Sequence, residues 1–387
     1  MARGATPRYR RSVASPPDPV ATIDAAIGDA LDAAIATGVC SATAAGAGDG
    51  DRAWTWLRGR TQAVPTWGPA IEASTPFDLA SLTKPMATAA IAMVLLGEGR
   101  LALGDAAARW LPVPSPDLTV GHLLGHAAGF PPHVKLYERL WAGDLGGAAD
   151  PRAALVTMAA TTPLERAPGA AAAYSDVGYI SLGALLERAT GRPLDELLAL
   201  VTEPLGLGAT RYVDLRGPRR PFAVPPVATE LDPRRGLVAG EVHDENAHAG
   251  GGIAGHAGLF APIGDVARFA AALARAPRGA VGRLRPDVVE RCFTTAAAPE
   301  TSWRLGWDTP SAIPGVSHAG DAWPRTHAVG HLGFTGTSMW LDWARGRWAV
   351  LLTNRVHPSR DRPEAARIKD LRRTFGDLAW ALLERAA

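Results

Sequence analysis

The feature that most limits how this chain can fold is the stretch from Phe77 to Leu96, FDLASLTKPMATAAIAMVLL. From Met86 to Leu96 it consists of Ala, Met, Thr, Ile, Val and Leu, and no charge appears before Glu98. Such a run predicts a helix buried on most of its sides, around which the chain is organised. Ser81 and Lys84 stand at the mouth of that helix, and a spacing of three puts them one turn apart on the same face. A serine hydroxyl is a poor nucleophile until a neighbouring base takes its proton, and a neutral lysine held beside it can do that. At the first position of a helix, Ser81 also leaves its backbone N–H free to point at a developing oxyanion.

By itself S-x-x-K is a weak pattern, expected roughly once by chance in a chain of this length at average residue usage. The chain holds 40 Lys plus Arg, however, and only Lys84, Lys135 and Lys369 are Lys. Arginine does not lose its proton in a protein, whereas a desolvated lysine does. A lysine kept at the start of an apolar helix therefore reads as a base.

A chain of 387 residues builds one large domain or two interleaved ones around a sizeable core. The net charge of +2, with no basic block beyond the N-terminal arm, gives no reason to expect nucleic acid as a partner. No apolar run reads as long enough to span a bilayer, so no membrane is expected. The two cysteines, Cys40 and Cys292, fit neither a disulfide framework nor a zinc site, with a single bridge between them left open. Residues 1–20, MARGATPRYRRSVASPPDPV, are positive but lack an apolar segment, which predicts a disordered arm, no signal peptide and a cytoplasmic protein.

Helix spacing at Ile23, Ile27, Leu31 and Ile35 predicts an amphipathic helix over 21–37. Cys40–Ala47 and Ala53–Arg58 read as strands joined at Gly48-Asp49-Gly50, and Thr335–Asp342 and Arg347–Thr353 as a second hairpin around Ala344-Arg345-Gly346. Helical runs are expected after Thr119 and over 150–160, 178–190, 192–207 and 263–274, with a closing helix over 362–385. Residues 214–236, rich in Arg and Pro, read as an irregular loop. The two termini are thus expected to share one antiparallel sheet, residues 21–80 and 250–387, with a mainly helical insertion over 81–249 and the site between them.

Two further stretches could carry chemistry. In AAAYSDVGYISLG, Tyr174 can present its hydroxyl to a cleft and serve in proton transfer, while Asp176 either caps the following helix or enters the site. In HLGFTGT, His331 and Gly333 precede a strand; Gly333 lets a substrate backbone approach, and a free N–H at Phe334 would be a second oxyanion donor beside that of Ser81. His243 and His248 flank acidic residues, but their spacing and glycine-rich surroundings argue for a loop bordering the cleft, with Asp244 and Asn246 bonding backbone. Neither a metal nor a cofactor is expected. Trp303 and Trp307 line an acyl pocket or pack in the core.

SLTK, then YSD, then HLG followed by FTGTS resembles the serine β-lactamase and penicillin-binding-protein superfamily, whose elements are S-x-x-K, Y-x-N and K-T-G or H-x-G. LLGHAAGFP, GHAGLFAPIGDVARF and RLGW fall between these motifs and support the likeness, which is greatest to the class C-like serine hydrolases, a branch of esterases and D-alanyl-D-alanine carboxypeptidases. The resemblance implies an α+β, β-lactamase/transpeptidase-like fold, an antiparallel sheet flanked by terminal helices plus an all-helical domain. It implies Ser81 as the acylated nucleophile, Lys84 as its base, Tyr174 as partner in proton transfer, His331 in place of the third-motif lysine, and Ser81 and Phe334 N–H groups as the oxyanion hole.

Two departures matter. Asp176 stands where the family has Asn, and its charge can hold Lys84 and weaken it as a base. His331 replaces a lysine, removing a fixed cation for a substrate carboxylate at neutral pH. Both favour a serine hydrolase of small esters or amides. The alternatives are a D-alanyl-D-alanine carboxypeptidase or β-lactamase-like peptidase, disfavoured by the missing signal peptide, a non-catalytic sensor that acylates without turnover, and a metal-dependent hydrolase.

Overall fold

The computed structural model describes residues 18–386 apart from residue 51. Of the expected N-terminal arm, residues 1–17 lie outside the described residues; the remainder opens the first helix. Asp18 caps α1 (Pro19–Ala36) by accepting the N–H of Val20 at 3.0 Å, and Pro19, with no N–H to leave unpaired, occupies its first turn. The helix therefore begins earlier than residue 21.

Five strands form one antiparallel sheet. Numbered with all other strands in chain order, they are β1 (Ala42–Asp49), β2 (Arg52–Gly59), β8 (Ala328–Leu332), β9 (Ser338–Asp342) and β10 (Arg347–Thr353), arranged β2-β1-β10-β9-β8. The chain ends meet at its centre, where Thr43 pairs with Thr353 and Asp49 with Arg347. Side chains alternate between two cores. Ala45, Ala47, Ala349, Leu351 and Trp340 face α1 and α5 (Ile368–Ala386), the terminal helices, against Ile27, Leu31, Phe375 and Leu382. Ala42, Ala44, Val350, Leu352 and Met339 face the other way, towards α4 (Ile263–Arg275) and the helical half. Buried on both faces, β1 can be ATAAGAGD because small residues let helices approach from either side.

The central apolar stretch is α2, a helix over Ala80–Gly97 that starts as a 3-10 turn, passes through a π segment at Lys84–Ala89 and becomes α-helical from Ala90. Pro85, which has no N–H to donate, sits at the start of the π segment. By length and composition α2 is apolar enough to cross a bilayer, with a mean hydropathy of 1.4, contrary to the sequence reading; 83% of it is buried, as a core helix must be. Packed on it is α3 (Asp176–Thr190). Short strands β3 (Phe77–Asp78), β4 (Arg211–Tyr212) and β7 (Leu259–Ala261) form a second sheet in the order β3-β7-β4, which delivers the chain to Ser81.

Two expectations need correcting. The supposed irregular loop over 214–236 contains β5 (Ala228–Asp232), which pairs with β6 (Gly236–Ala239). The edge strand β8 (Ala328–Leu332) is not among the expected strands, and His331 lies within it as well as preceding β9. Cys40 and Cys292 are both free and buried, and burial pushes each thiol up to about 12.

Candidate active site

The turn that carries Ser81 is set by its neighbours. Asp78, at the end of β3, accepts the Ala80 N–H at 2.8 Å and that of His243 at 2.7 Å. Ala80 has φ +48°, a left-handed conformation costly for a residue with a side chain, so Ser81 is presented on a constrained corner. Leu79 N–H donates to Leu259 O at 3.0 Å, tying the corner to β7.

The structure brings four of the expected side chains together. Lys84, completely buried, has its Nζ 2.9 Å from Ser81 Oγ, 2.6 Å from Tyr174 OH, 2.7 Å from Asp176 Oδ1 and 3.1 Å from His256 O. Ser81 Oγ and Tyr174 OH are 2.6 Å apart. Ammonium and amine each present three sites to these four partners, three N–H bonds in the one and two N–H bonds with a lone pair in the other; only the neutral form has a lone pair that can take a proton from the two hydroxyls. Burial lowers the Lys84 pKa, against the pull of Asp176. Burial works to raise Asp176 too, but Lys84, His133 and His256 together bring that carboxyl well below the ordinary carboxylate range. Burial, reinforced by Asp176, raises Tyr174 well above the ordinary phenol. The phenol thus stays protonated, within hydrogen-bond reach of both Ser81 and Lys84 for a proton relay.

Asp176 does not cap α3. Ser175 does, its hydroxyl accepting the Gly178 N–H at 3.1 Å, and the Asp176 side chain turns to Lys84. The position of His256 O depends on two glycines. A Cβ on Gly255 would lie 2.9 Å from Gly183 Cα, so only glycine lets this loop cross α3 so closely. Thr88 Oγ1 donates to Gly255 O at 2.6 Å and fixes the crossing.

The turn from β8 to β9 is strapped to the corner that carries Ser81. Thr335 and Thr337 hydroxyls donate to Asp78 O and Leu79 O, each at 3.0 Å, while Arg372 from α5 donates to Gly333 O and Thr337 O at 2.7 and 2.8 Å. Among the described residues no carbonyl accepts the N–H of Ser81 or of Phe334, which leaves both available to an oxyanion. His331 is buried behind this edge, its ring 6.0 Å from that of Tyr174. Burial, with Lys84 nearby, takes it down to about 3, so it is a neutral imidazole and no anchor for a carboxylate.

Trp303 belongs to the site, its ring 5.6 Å from that of Tyr174, whereas Trp307 is fully buried against Phe293. The His243–His248 segment is a short helix (Glu245–Ala249) at the cleft and not a loop: Asp244 accepts the Ala247 N–H and Asn246 that of Tyr137. Among the described residues no group of side chains is arranged to hold a metal ion.

Sequence reasoning did not single out His126, His133, His256 or the basic wall of the cleft. His126 accepts the Ser175 N–H at 3.1 Å and packs its ring on Tyr174, Tyr179 and Trp303. The phrases LLGHAAGFP and GHAGLF held two of these histidines in plain view. A cavity of about 680 Å³ runs from Ser81 and Tyr174 past Phe334 to Arg355, Lys369 and Arg372.

A serine, a buried lysine and a tyrosine at this junction of sheet and helices are the arrangement of a class of serine hydrolase, and comparison with known proteins agrees on that class. The chain belongs to the Beta-lactamase family, whose model matches residues 30–373. It is 33% identical over 309 residues to a putative D-alanyl-D-alanine carboxypeptidase of Escherichia coli (strain K12), covering 73% of this chain and 70% of that protein. Two solved structures share the fold. EstCE1, a hydrolase with promiscuous acyltransferase activity, is 20% identical with a TM-score of 0.65, covering 91% of this chain and 98% of that one. Unliganded simvastatin synthase (LovD) from Aspergillus terreus is 20% identical with a TM-score of 0.67, covering 95% and 99%.

Proposed function

We propose that this serine hydrolase forms an acyl-enzyme on Ser81 and cleaves small acyl compounds that carry a carboxylate beyond the scissile bond, as a carboxypeptidase substrate does. The observation that carries this reading is the charge of the far wall of the cleft. Arg360 is neutralised by Glu230 and Glu245, but Arg355, Lys369 and Arg372 line the cavity without an acidic partner among the described residues. The replacement of the third-motif lysine by His331 pointed to esters because it removed a cation. The Arg355–Lys369–Arg372 wall supplies cations from another direction, and the relatives named as putative D-alanyl-D-alanine carboxypeptidases agree with it.

In this reading Lys84 takes the Ser81 proton directly or through Tyr174, the two backbone N–H groups hold the oxyanion, and Tyr174 passes the proton to the leaving group. Water then repeats the sequence on the acyl-enzyme. A second reading, hydrolysis of neutral esters, is favoured by the exposed Phe334 ring at the cavity and by the neutrality of His331. One experiment separates them: turnover of an N-acyl-D-alanyl-D-alanine and of p-nitrophenyl butyrate by wild type, Ser81→Ala and Lys369→Ala. The carboxylated substrate is expected to have the higher kcat/KM, and Ser81→Ala to abolish both activities. Lys369→Ala is expected to raise KM roughly two- to fivefold for the carboxylated substrate alone, the scale of one partly exposed charge. Turnover of the ester only, unaffected by Lys369→Ala, would favour the second reading. Stoichiometric acylation without turnover would identify a sensor.

A further inference from the structure

Asp176 has two oxygens, and each faces a different base. Oδ1 takes Lys84 Nζ at 2.7 Å; Oδ2 faces His133 Nδ1 at 3.5 Å. Lys84 is sealed from solvent, whereas the His133 side chain is 42% exposed and lines the cavity. Nor is His133 a loose surface side chain. Ser175 Oγ donates to Pro131 O at 2.7 Å, Asp176 N–H to Pro132 O at 2.9 Å and Asn246 Nδ2 to Val134 O at 2.9 Å. Its backbone is thus pinned on both sides, and two prolines stiffen the approach.

We propose that His133 and Lys84 compete for the single charge of Asp176, and that a proton on His133 keeps Lys84 neutral and able to act as base for Ser81. His133 is in this sense a positioning residue, acting through Asp176 without touching substrate. The inference rests on the assignment of Ser81 and Lys84 above.

One carboxylate compensates one positive charge. With His133 uncharged, Asp176 favours the ammonium form of Lys84, the form with no lone pair for the serine proton. With His133 protonated, the same carboxylate is already satisfied, and a second proton on Lys84 meets an uncompensated charge across the dyad. The groups facing His133 are carboxylates, Asp176 first and then Asp244 and Glu245, and the Asp176 carboxylate beside it raises its affinity for a proton. On the far side of Asp176 stand Lys84 and His256. This arrangement accounts for an aspartate at a position where the family resemblance usually places asparagine: the charge that would disable the base is shared with a second cation.

The test reads serine nucleophilicity without choosing a substrate. An alkyl fluorophosphonate phosphonylates the serine oxygen, fluoride departs and the serine proton goes to the base. Its second-order rate is followed from pH 5 to 9 in wild type, His133→Gln and His133→Arg. The acid limb for His133→Gln is expected about one pH unit above wild type, and that for His133→Arg, which carries a permanent charge, at or below wild type. A structural role would lower the rate at every pH without moving the limb. Limbs that coincide in all three proteins, both variants folded by circular dichroism, would overturn the inference while leaving Ser81 as nucleophile. Absence of labelling in wild type would instead remove the Ser81 assignment, and this inference with it.

Discussion

Gly333→Ala tests the link between the edge of the sheet and the nucleophile. A Cβ at this position would lie 2.7 Å from Leu79 O and well inside van der Waals contact of Thr337 Oγ1. Those two atoms are the partners of the strap bond, Thr337 Oγ1 donating to Leu79 O at 3.0 Å. The methyl group can be accommodated only by parting them. Losing one buried hydrogen bond costs about 1 kcal/mol and overpacking adds about 1–3 kcal/mol, so a destabilisation of roughly 2–4 kcal/mol follows. At about 2.1 cal/mol/K of unfolding entropy per residue, a chain of this length loses roughly 3–5 °C of Tm. The catalytic effect is larger. Phe334 N–H is carried on the same turn, and misplacing one oxyanion donor lowers kcat about 10²–10³-fold. Differential scanning calorimetry and steady-state kinetics on the folded variant check both figures. A Gly333→Ala protein with wild-type Tm and wild-type kcat would refute the claim that the strap positions the donor. A fall in Tm with kcat intact would show that the strap is structural and that Phe334 N–H is no oxyanion donor.

Two more outcomes are expected. Lys84→Arg keeps a cation beside Asp176 but cannot give up a proton, so kcat/KM falls about 10²–10⁴-fold, and recovery of more than a tenth of wild-type activity at any pH up to 9 would contradict the base assignment. Asp244 is pushed up by burial but brought to about 2 by His256, whose Nε2 is 2.8 Å away. Its folded pKa being below its ordinary value, its contribution is present above about pH 4 and is lost as the pH falls towards 2, worth about 2 kcal/mol. Urea denaturation of Asp244→Asn, followed by tryptophan fluorescence, should therefore differ from wild type by about 2 kcal/mol less at pH 2 than at pH 6, and a difference that is constant with pH would contradict it.

The sequence made the central helix legible because an uncharged run of that length has few other uses, and it made Ser81 and Lys84 legible because helical spacing forces them together. Strand β8 was hidden: AVGHL is short, holds a histidine and a glycine, and shows no alternation, its burial arising from neighbours far away in the chain. Asp176 looked equally like a cap because Ser175 beside it is as good a capping residue, and only the direction of the side chain decides between them. His133 was invisible for a related reason, since its partner is made adjacent by the turn at Pro131-Pro132 and by no sequence period. The cationic wall was missed because Arg355 and Arg372 are two arginines among many, and because Lys369, though one of only three lysines, lies on the closing helix far along the chain from Ser81, so that only the fold brings them to one cavity.

The pairing of β1 with β10 at the middle of the sheet has a consequence for how the protein is made. Thr43 leaves the ribosome long before Thr353 exists to pair with it, and β9 reaches β1 only through β10. Contacts so distant in sequence form late, so the N-terminal hairpin must remain soluble while the helical half folds first. The strap from Thr335 and Thr337 to Asp78 and Leu79 closes at the same stage. A nascent chain therefore brings the N–H groups of Ser81 and Phe334 together only after β8, β9 and β10 have been made, and labelling by a serine-directed probe serves as a clock for that closure.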